Sequence, residues 1–218
     1  MLDLEDVLQK VTAMDHEKYQ QLIQVAMKEF CKGYKHASTD VMTKEAGISK
    51  GLLFHYFGNK KTVLHFIFNH AIETIITQFF NQIDENERDF FKRLSQMIQV
   101  KVHFSYEHPT LFDFFSTVQL SEEAEFEPLK EKSAQMRQAF WKLENESFFS
   151  CIDRTLFKDD LDVDKALQIV MWTATGFGDQ IMKKYPTVES YQAEYDRILP
   201  QLESYLDLLK KSFYKEMN

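Results

Sequence analysis

Six glycines punctuate a chain of 218 residues, and four of them, Gly33, Gly47, Gly51 and Gly58, crowd into 26 positions. Beyond that window only Gly176, Gly178 and four prolines interrupt the backbone. The rest of the chain is therefore free to run in long regular elements, whereas residues 33–58 must turn several times in quick succession.

Apolar spacing says which regular element this is. Tyr19, Leu22, Ile23, Ala26, Met27 and Phe30 recur at i, i+3, i+4, i+7 behind Asp15, a residue type that caps helices. Short helical runs are expected over Asp40–Ala46 and Lys50–Phe57, and a long one starting after Asn59 and running towards Phe80. Further runs fall at 87–106, 111–119, 128–153, 162–184 and 189–214, with Pro109, Pro128 and Pro186 at the breaks. Pro200 lies inside the last run and should kink that helix or divide it near Leu199. Leu4, Val7, Leu8 and Val11 suggest a short added helix before residue 15. No stretch alternates polar with apolar residues and no hairpin signal occurs, so the fold class is all-α.

Composition removes several classes. The most apolar stretch, around Phe66 to Phe80, is broken by Asn69, His70, Glu73 and Gln78, short of about 20 clean apolar residues for a membrane span. The start, Met-Leu-Asp-Leu-Glu-Asp, is acidic where a leader is basic, and a cytoplasmic location is expected. Cys31 and Cys151 form no metal or disulfide framework. None of the seven histidines has Glu three residues before it, and there is no His-Glu-x-x-His, Gly-x-Ser-x-Gly or phosphate-binding glycine loop. The expectation is a chain that is not an enzyme and needs no metal or cofactor.

The net charge of −8 argues at first against a nucleic-acid partner. Its distribution argues otherwise. Residues 16–70 hold eight lysines and four acids, a balance of +4, against −3 for residues 1–15 and −9 for 71–218. A basic module on an acidic body points to a polyanion at one end.

The chemistry sits within residues 38–64. Thr39 is placed to cap a two-turn helix with Val41, Met42, Glu45 and Ala46 on its inner side. Gly47 permits a tight left-handed turn, Ile48 plugs the angle between helices, and Ser49 caps the second helix. That second helix buries Leu53 and Phe57 and presents Lys50, Gly51, His55 and Tyr56, with Leu52 and Phe54 near the boundary. Such a face suits a major groove: glycine lets the backbone approach, and His and Tyr donate to phosphate oxygens. Lys60 and Lys61 open the next helix, where the dipole disfavours them by about 0.3–1 kcal/mol each unless an anion lies opposite.

The block Thr39…Ala46-Gly47-Ile48-Ser49-Lys50-Gly51-Leu52-Leu53-Phe54-His55-Tyr56-Phe57-x-Asn59-Lys60 resembles the DNA-binding signature of the TetR family of bacterial transcriptional regulators. The matched block covers about residues 16–68. The resemblance implies DNA contacts from Thr39, Ser49, Lys50, Gly51, His55, Tyr56 and Lys60. Phe54 stands where the family often has Tyr, exchanging a hydroxyl contact for one with a thymine methyl, and Leu52 occupies a position often small or polar. Lys61-Thr62 replaces the acids common after Asn-Lys.

The expected organisation is an N-terminal extension (1–15), a three-helix DNA-binding domain with its helix-turn-helix (16–62), and a C-terminal helical ligand-binding and dimerisation domain (63–218). The resemblance implies a homodimer through the last two helices, to which Leu167, Val170, Met171, Ala174, Ile181, Leu202, Tyr205, Leu206 and Leu209 are available. Gly176 and Gly178 are read as close helix packing. Regulators of this kind enclose an apolar ligand. Candidates to line such a cavity are Phe104, Phe112, Phe115, Trp141, Trp172 and Phe177. The expected function is a ligand-responsive repressor, bound as a homodimer to a palindromic double-stranded operator and released by a small apolar or amphipathic effector. The alternative is an acidic helical protein-interaction module without sequence-specific DNA binding.

Overall fold

A computed structural model describes Val7, Lys10, Val11, and residues 14–79, 82, 86–136, 149 and 151–216. Its helices are α1 (His16–Phe30), α2 (Thr39–Glu45), α3 (Lys50–Phe57), α4 (Lys60–Thr74), α5 (Phe90–Glu107), α6 (Pro109–Leu120), α7 (Val163–Lys184), α8 (Val188–Gln192) and α9 (Tyr195–Phe213), with residues 127–136 also helical. Among the described residues the sole β pairing is a bridge between Phe157 and Tyr214. The all-α expectation holds.

The chain divides into two compact units, one from Met1–Phe80 with His108–Gln135, the other from Asn81–Glu107 with Met136–Asn218. In the first, α1 packs against α2, α4 and α6. The spacing read from the sequence carries its core: Leu22, Ile23, Ala26, Met27 and Phe30 of α1 are buried with Met42, Leu53, Phe57, Leu64 and Ile67. Each of these side chains larger than alanine contributes about 1.5–3 kcal/mol by leaving water. Val7 and Val11 are helical and buried too, as expected of the added helix, whereas Leu4 and Leu8 lie outside the described residues.

Local capping chemistry sets the starts. Asp15 Oδ1 accepts from the Lys18 N–H at 3.2 Å and Asn59 Oδ1 from the Thr62 N–H at 2.9 Å. At its far end α4 widens into a π-helical turn, Ile75–Phe79. There the hydroxyls of Thr74 and Thr77 donate back to the carbonyls of His70 (2.9 Å) and Glu73 (2.8 Å), competing with the helical ladder.

The second unit is centred on Phe90, Phe91, Leu94, Phe157, Leu167, Val170, Met171, Leu202 and Leu206, with α7 packed along α9. Tyr214 closes it: its hydroxyl donates to Asp89 Oδ1 at 3.1 Å and accepts from the Phe90 N–H at 3.2 Å, while its ring meets Phe157 at 4.8 Å. Burial and the Asp89 carboxylate push the Tyr214 hydroxyl well above the usual phenol range.

Several expectations change here. Pro200 neither ends nor divides its helix: α9 runs through it from Tyr195 to Phe213, and the break falls earlier, at Ala193–Glu194. Pro200 stands only six residues into α9, so a single ladder donor is lost close to the start. The run expected over 128–153 does not reach its end as a helix, because Cys151 and Ile152 are in turns and Arg154–Leu156 is a single 3-10 turn. Among the described residues a Cβ at Gly176 or Gly178 meets nothing within 4 Å, so the close packing expected of them has no partner there. Leu167, Val170, Met171, Leu202 and Leu206, assigned above to a partner interface, are consumed by the chain's own core.

The first unit carries a pH dependence. Burial lowers the pKa of His65, helped by Lys61 and Lys132, and burial also lowers that of His70 against an opposing Glu73. Both rings are therefore harder to protonate in the folded state than in the unfolded chain. Their contribution to stability is present above the ordinary histidine value of about 6.5 and is lost as the pH falls below it, because the unfolded chain then takes up protons that the folded one refuses. Thermal unfolding followed between pH 8 and pH 5 should show a falling midpoint over this window. The His65→Gln/His70→Gln variant should show a flatter dependence; an equally steep one would assign the acid sensitivity elsewhere.

Candidate nucleic-acid interface

Two short helices and a glycine turn build the site. Ser38, not Thr39, caps α2: its Oγ accepts from the Val41 N–H at 3.3 Å, which leaves Thr39 as the first helical residue, half-buried. The two hydroxyl residues are adjacent, and the extended backbone at Ser38 (φ −104°, ψ 114°) is what a cap requires. Gly47 adopts φ +64°, and the Ile48 N–H donates to the Thr43 carbonyl at 3.0 Å. Ser49 caps α3 as expected, accepting from the Leu52 N–H at 3.1 Å.

Below this turn Met42, Ala46, Leu53 and Phe57 are fully buried, which fixes the roll of α3. Its outer side then exposes Lys50, Gly51 and His55, with Leu52, Phe54 and Tyr56 half-buried beside them. The His55 and Tyr56 rings lie 5.7 Å apart, tilted by 57°. A Cβ on Gly51 meets only Ser49 Oγ at 3.9 Å, so the surface above this glycine is open. Lys61 is exposed at the start of α4.

Two of the expected DNA contacts already have partners that sequence spacing does not reveal. Lys50 Nζ pairs with Asp40 Oδ1 at 2.7 Å, ten residues back on α2. Both groups are exposed, and such a pair is worth at most about 1 kcal/mol, so a phosphate exchanges for it readily. Lys60 is half-buried, with Nζ 4.7 Å over the ring of Tyr34. Burial lowers its pKa against the raising influence of Glu123, Glu125 and Glu29.

The five aromatic candidates among the described residues are divided between the two units. Phe112 and Phe115 are half-buried in the first unit, Phe115 in edge contact with Phe68 at 5.7 Å. Phe104 and Phe177 belong to the second, Phe104 fully buried and Phe177 packed on the core beside Tyr205. Trp172, in the same unit, faces solvent at 71% exposure. Trp141 lies outside the described residues.

Residues 22–66 match the model of the bacterial regulatory proteins of the tetR family, and residues 88–214 match that of the tetracyclin repressor-like C-terminal domain. The chain belongs to the TetR family. This TetR-family chain is similar in fold to a TetR family transcriptional regulator from Chloroflexus aurantiacus J-10-FL, with 21% identity, TM-score 0.58, and 95% of this chain and 98% of that one covered. It is similar also to a putative TetR family transcription regulator from Shewanella sp. PV-4, at 15% identity and TM-score 0.57 over 93% and 100% of the two chains. A third likeness is the transcriptional regulator FadR from Bacillus subtilis in complex with stearoyl-CoA, at 18% identity and TM-score 0.56 over 88% and 97%. No curated protein matches.

TetR-family membership places the helix-turn-helix in the N-terminal unit of a transcriptional regulator, and the family's members bind DNA, typically as dimers with small-molecule ligands. Among the described residues no helix is long and apolar enough to cross a membrane.

Proposed function

We propose that this TetR-family chain is a repressor, a homodimer that binds a palindromic operator and leaves it when a small apolar or amphipathic effector binds. The observation that carries this reading is the α3 surface: Lys50, Gly51 and His55 stand outward, with Tyr56 half-buried beside them, on a helix whose other side, Leu53 and Phe57, is locked in the core. A helix of eight residues is about 12 Å long and reads only a few base pairs. Two copies about 34–36 Å apart reach successive major-groove faces, which is what a dimer supplies.

The partner face on this reading is the solvent side of α7 and α9. Ile169 and Trp172 of α7, and Tyr205 and Leu208 of α9, are large apolar residues left in water by the single chain. The open surface at Gly176 continues the α7 row. Effector release then works by population shift. A ligand that prefers a dimer with mismatched recognition helices lowers DNA affinity by its coupling energy, about 1–3 kcal/mol or roughly 5–150-fold. The stearoyl-CoA held by the Bacillus protein is an amphipathic molecule of the class proposed.

Selection from a random duplex library should return a palindromic site. On that site His55→Ala and Tyr56→Ala should each lose about tenfold or more in affinity, at unchanged thermal midpoint, since each removes a groove or phosphate contact worth about 1–3 kcal/mol. Gly51→Ala should separate fold from function. The added methyl has room and favours the helix by up to about 1 kcal/mol, yet it stands between the backbone and the groove. A library without enrichment, or three variants that bind like the parent, would remove α3 from the interface.

A further inference from the structure

The turn after α6 reads Ser121-Glu-Glu-Ala-Glu-Phe-Glu127, four acids within seven residues, and the first unit folds it against the start of the DNA-binding surface. Phe126 anchors it, fully buried, with its N–H donating to the Glu123 carbonyl at 3.0 Å. The carboxylate of Glu123 is thereby aimed at the turn between α1 and α2. Its Oε2 accepts from the Lys35 N–H at 2.9 Å, and its Oε1 lies 2.5 Å from where a Cβ of residue 33 would stand, a place open only because that residue is Gly33, at φ +92°.

Tyr34 sits between these two contacts, its ring stacked on Phe30 at 6.3 Å, and it is over this ring that Lys60 rests. Lys60 is thus not extended towards solvent from the start of α4. It is folded back onto the one turn that Glu123 clasps. At this helix start the dipole repels a cation, and the neighbouring carboxylates offset that repulsion. Burial disfavours its charged form, and the fields of Glu123, Glu125 and Glu29 oppose that penalty in part. Glu29 is itself engaged elsewhere, by the Ser38 N–H at 3.0 Å and by Lys32, whereas Glu125 also acts on the Tyr34 hydroxyl, raising its pKa after burial.

We propose that Glu123, held on the turn whose Tyr34 ring carries Lys60, acts with its neighbour Glu125 as an intramolecular competitor of DNA for Lys60, an autoinhibitory charge arrangement through which the segment following α6 sets DNA affinity. To meet a phosphate, the Lys60 ammonium must leave the Tyr34 ring and, with it, the turn that holds the Glu123 carboxylate. The gain from the phosphate is reduced by what is left behind. Because the turn begins one residue after α6, a displacement of α6 moves the competing carboxylates relative to Lys60. The inference rests on the DNA-binding reading above and adds the residues that regulate it.

The test uses the full chain and random-sequence duplex DNA, with anisotropy titrations over a range of salt. Glutamine is the informative replacement: Glu123→Gln keeps an oxygen to accept from the Lys35 N–H, and the thermal midpoint reports whether the turn survives. Glu123→Gln/Glu125→Gln should bind about three- to tenfold more tightly at low salt, at the modest end of couplings between neighbouring charged residues. Glu127→Gln/Glu131→Gln makes the same change in net charge, but Glu127 faces Lys130 at 2.7 Å and not Lys60, so its gain should be smaller. In a Lys60→Ala background the gain from the first pair should vanish. Equal gains from both pairs, no gain from the first, or a gain that persists without Lys60 would each overturn the proposal. A parent chain that binds no DNA at any salt would overturn the DNA-binding reading with it, while a parent that binds and a silent double variant would overturn the competition alone.

Discussion

Trp172→Glu should convert the chain from dimer to monomer in sedimentation at micromolar concentration, with the far-UV helix signal intact. Trp172 is 71% exposed in the single chain and Leu208 63%, while the inward side of the same helices is already occupied by Leu167, Val170, Leu202 and Leu206. Removing Trp172 therefore costs the unit that bears it little, because the side chain holds nothing of that core together. At a dimer interface the same residue is the largest apolar group available, of the kind that contributes 2 kcal/mol or more when truncated. A carboxylate in its place adds desolvation, and the partner copy doubles the effect through symmetry. We expect the dissociation constant to rise by on the order of 100-fold or more, and operator binding to fall with it. A Trp172→Glu chain that remains dimeric would show that copies meet through another surface.

Phe57→Ala should unfold the DNA-binding surface without touching DNA chemistry. The ring is fully buried at the end of α3 and meets Phe66 edge-on at 5.2 Å. Truncating a buried Phe costs about 3–5 kcal/mol through lost transfer energy and the cavity left behind. Against a typical domain stability of about 5–15 kcal/mol, that brings the first unit close to its unfolding midpoint. Denaturant titration should show an early transition absent from the parent, and DNA binding should vanish together with the helical signal of that transition. His55→Ala sits two residues earlier and should show the reverse pattern, binding lost and melting unchanged. The contrast separates a residue that carries the surface from one that belongs to it. A Phe57→Ala chain with parental stability would contradict the packing of α3 described above.

What the sequence made legible was decided by neighbours along the chain. The caps at Asp15 and Ser49, the left-handed Gly47, and the inward Leu53 and Phe57 all follow from residues within four positions of one another, and the structure has them as read. Ser38 was missed because two adjacent hydroxyls satisfy the same rule and only the backbone chooses between them. Apolar spacing on α7 and α9 says which side is buried but not against what. Leu167 and Leu202 answer to their own chain, and Trp172, read as a cavity residue, faces outward. The surroundings of Lys60 had no local signal at all. Glu123 is 88 positions from Lys35, and nothing in the spacing of a helix-turn-helix points to a carboxylate so far away.

The clasp of Glu123 on the α1–α2 turn has a consequence for how this protein diverges. Its Oε1 occupies the space a side chain at position 33 would take, and the φ of +92° there already favours glycine. A mutation that places any side chain at 33 displaces the carboxylate, and one that removes the carboxylate relieves one of the two constraints on 33. The dependence is one-sided: position 123 can change while glycine stays at 33, because the backbone alone holds it there, but a side chain at 33 requires that the carboxylate at 123 be moved or lost.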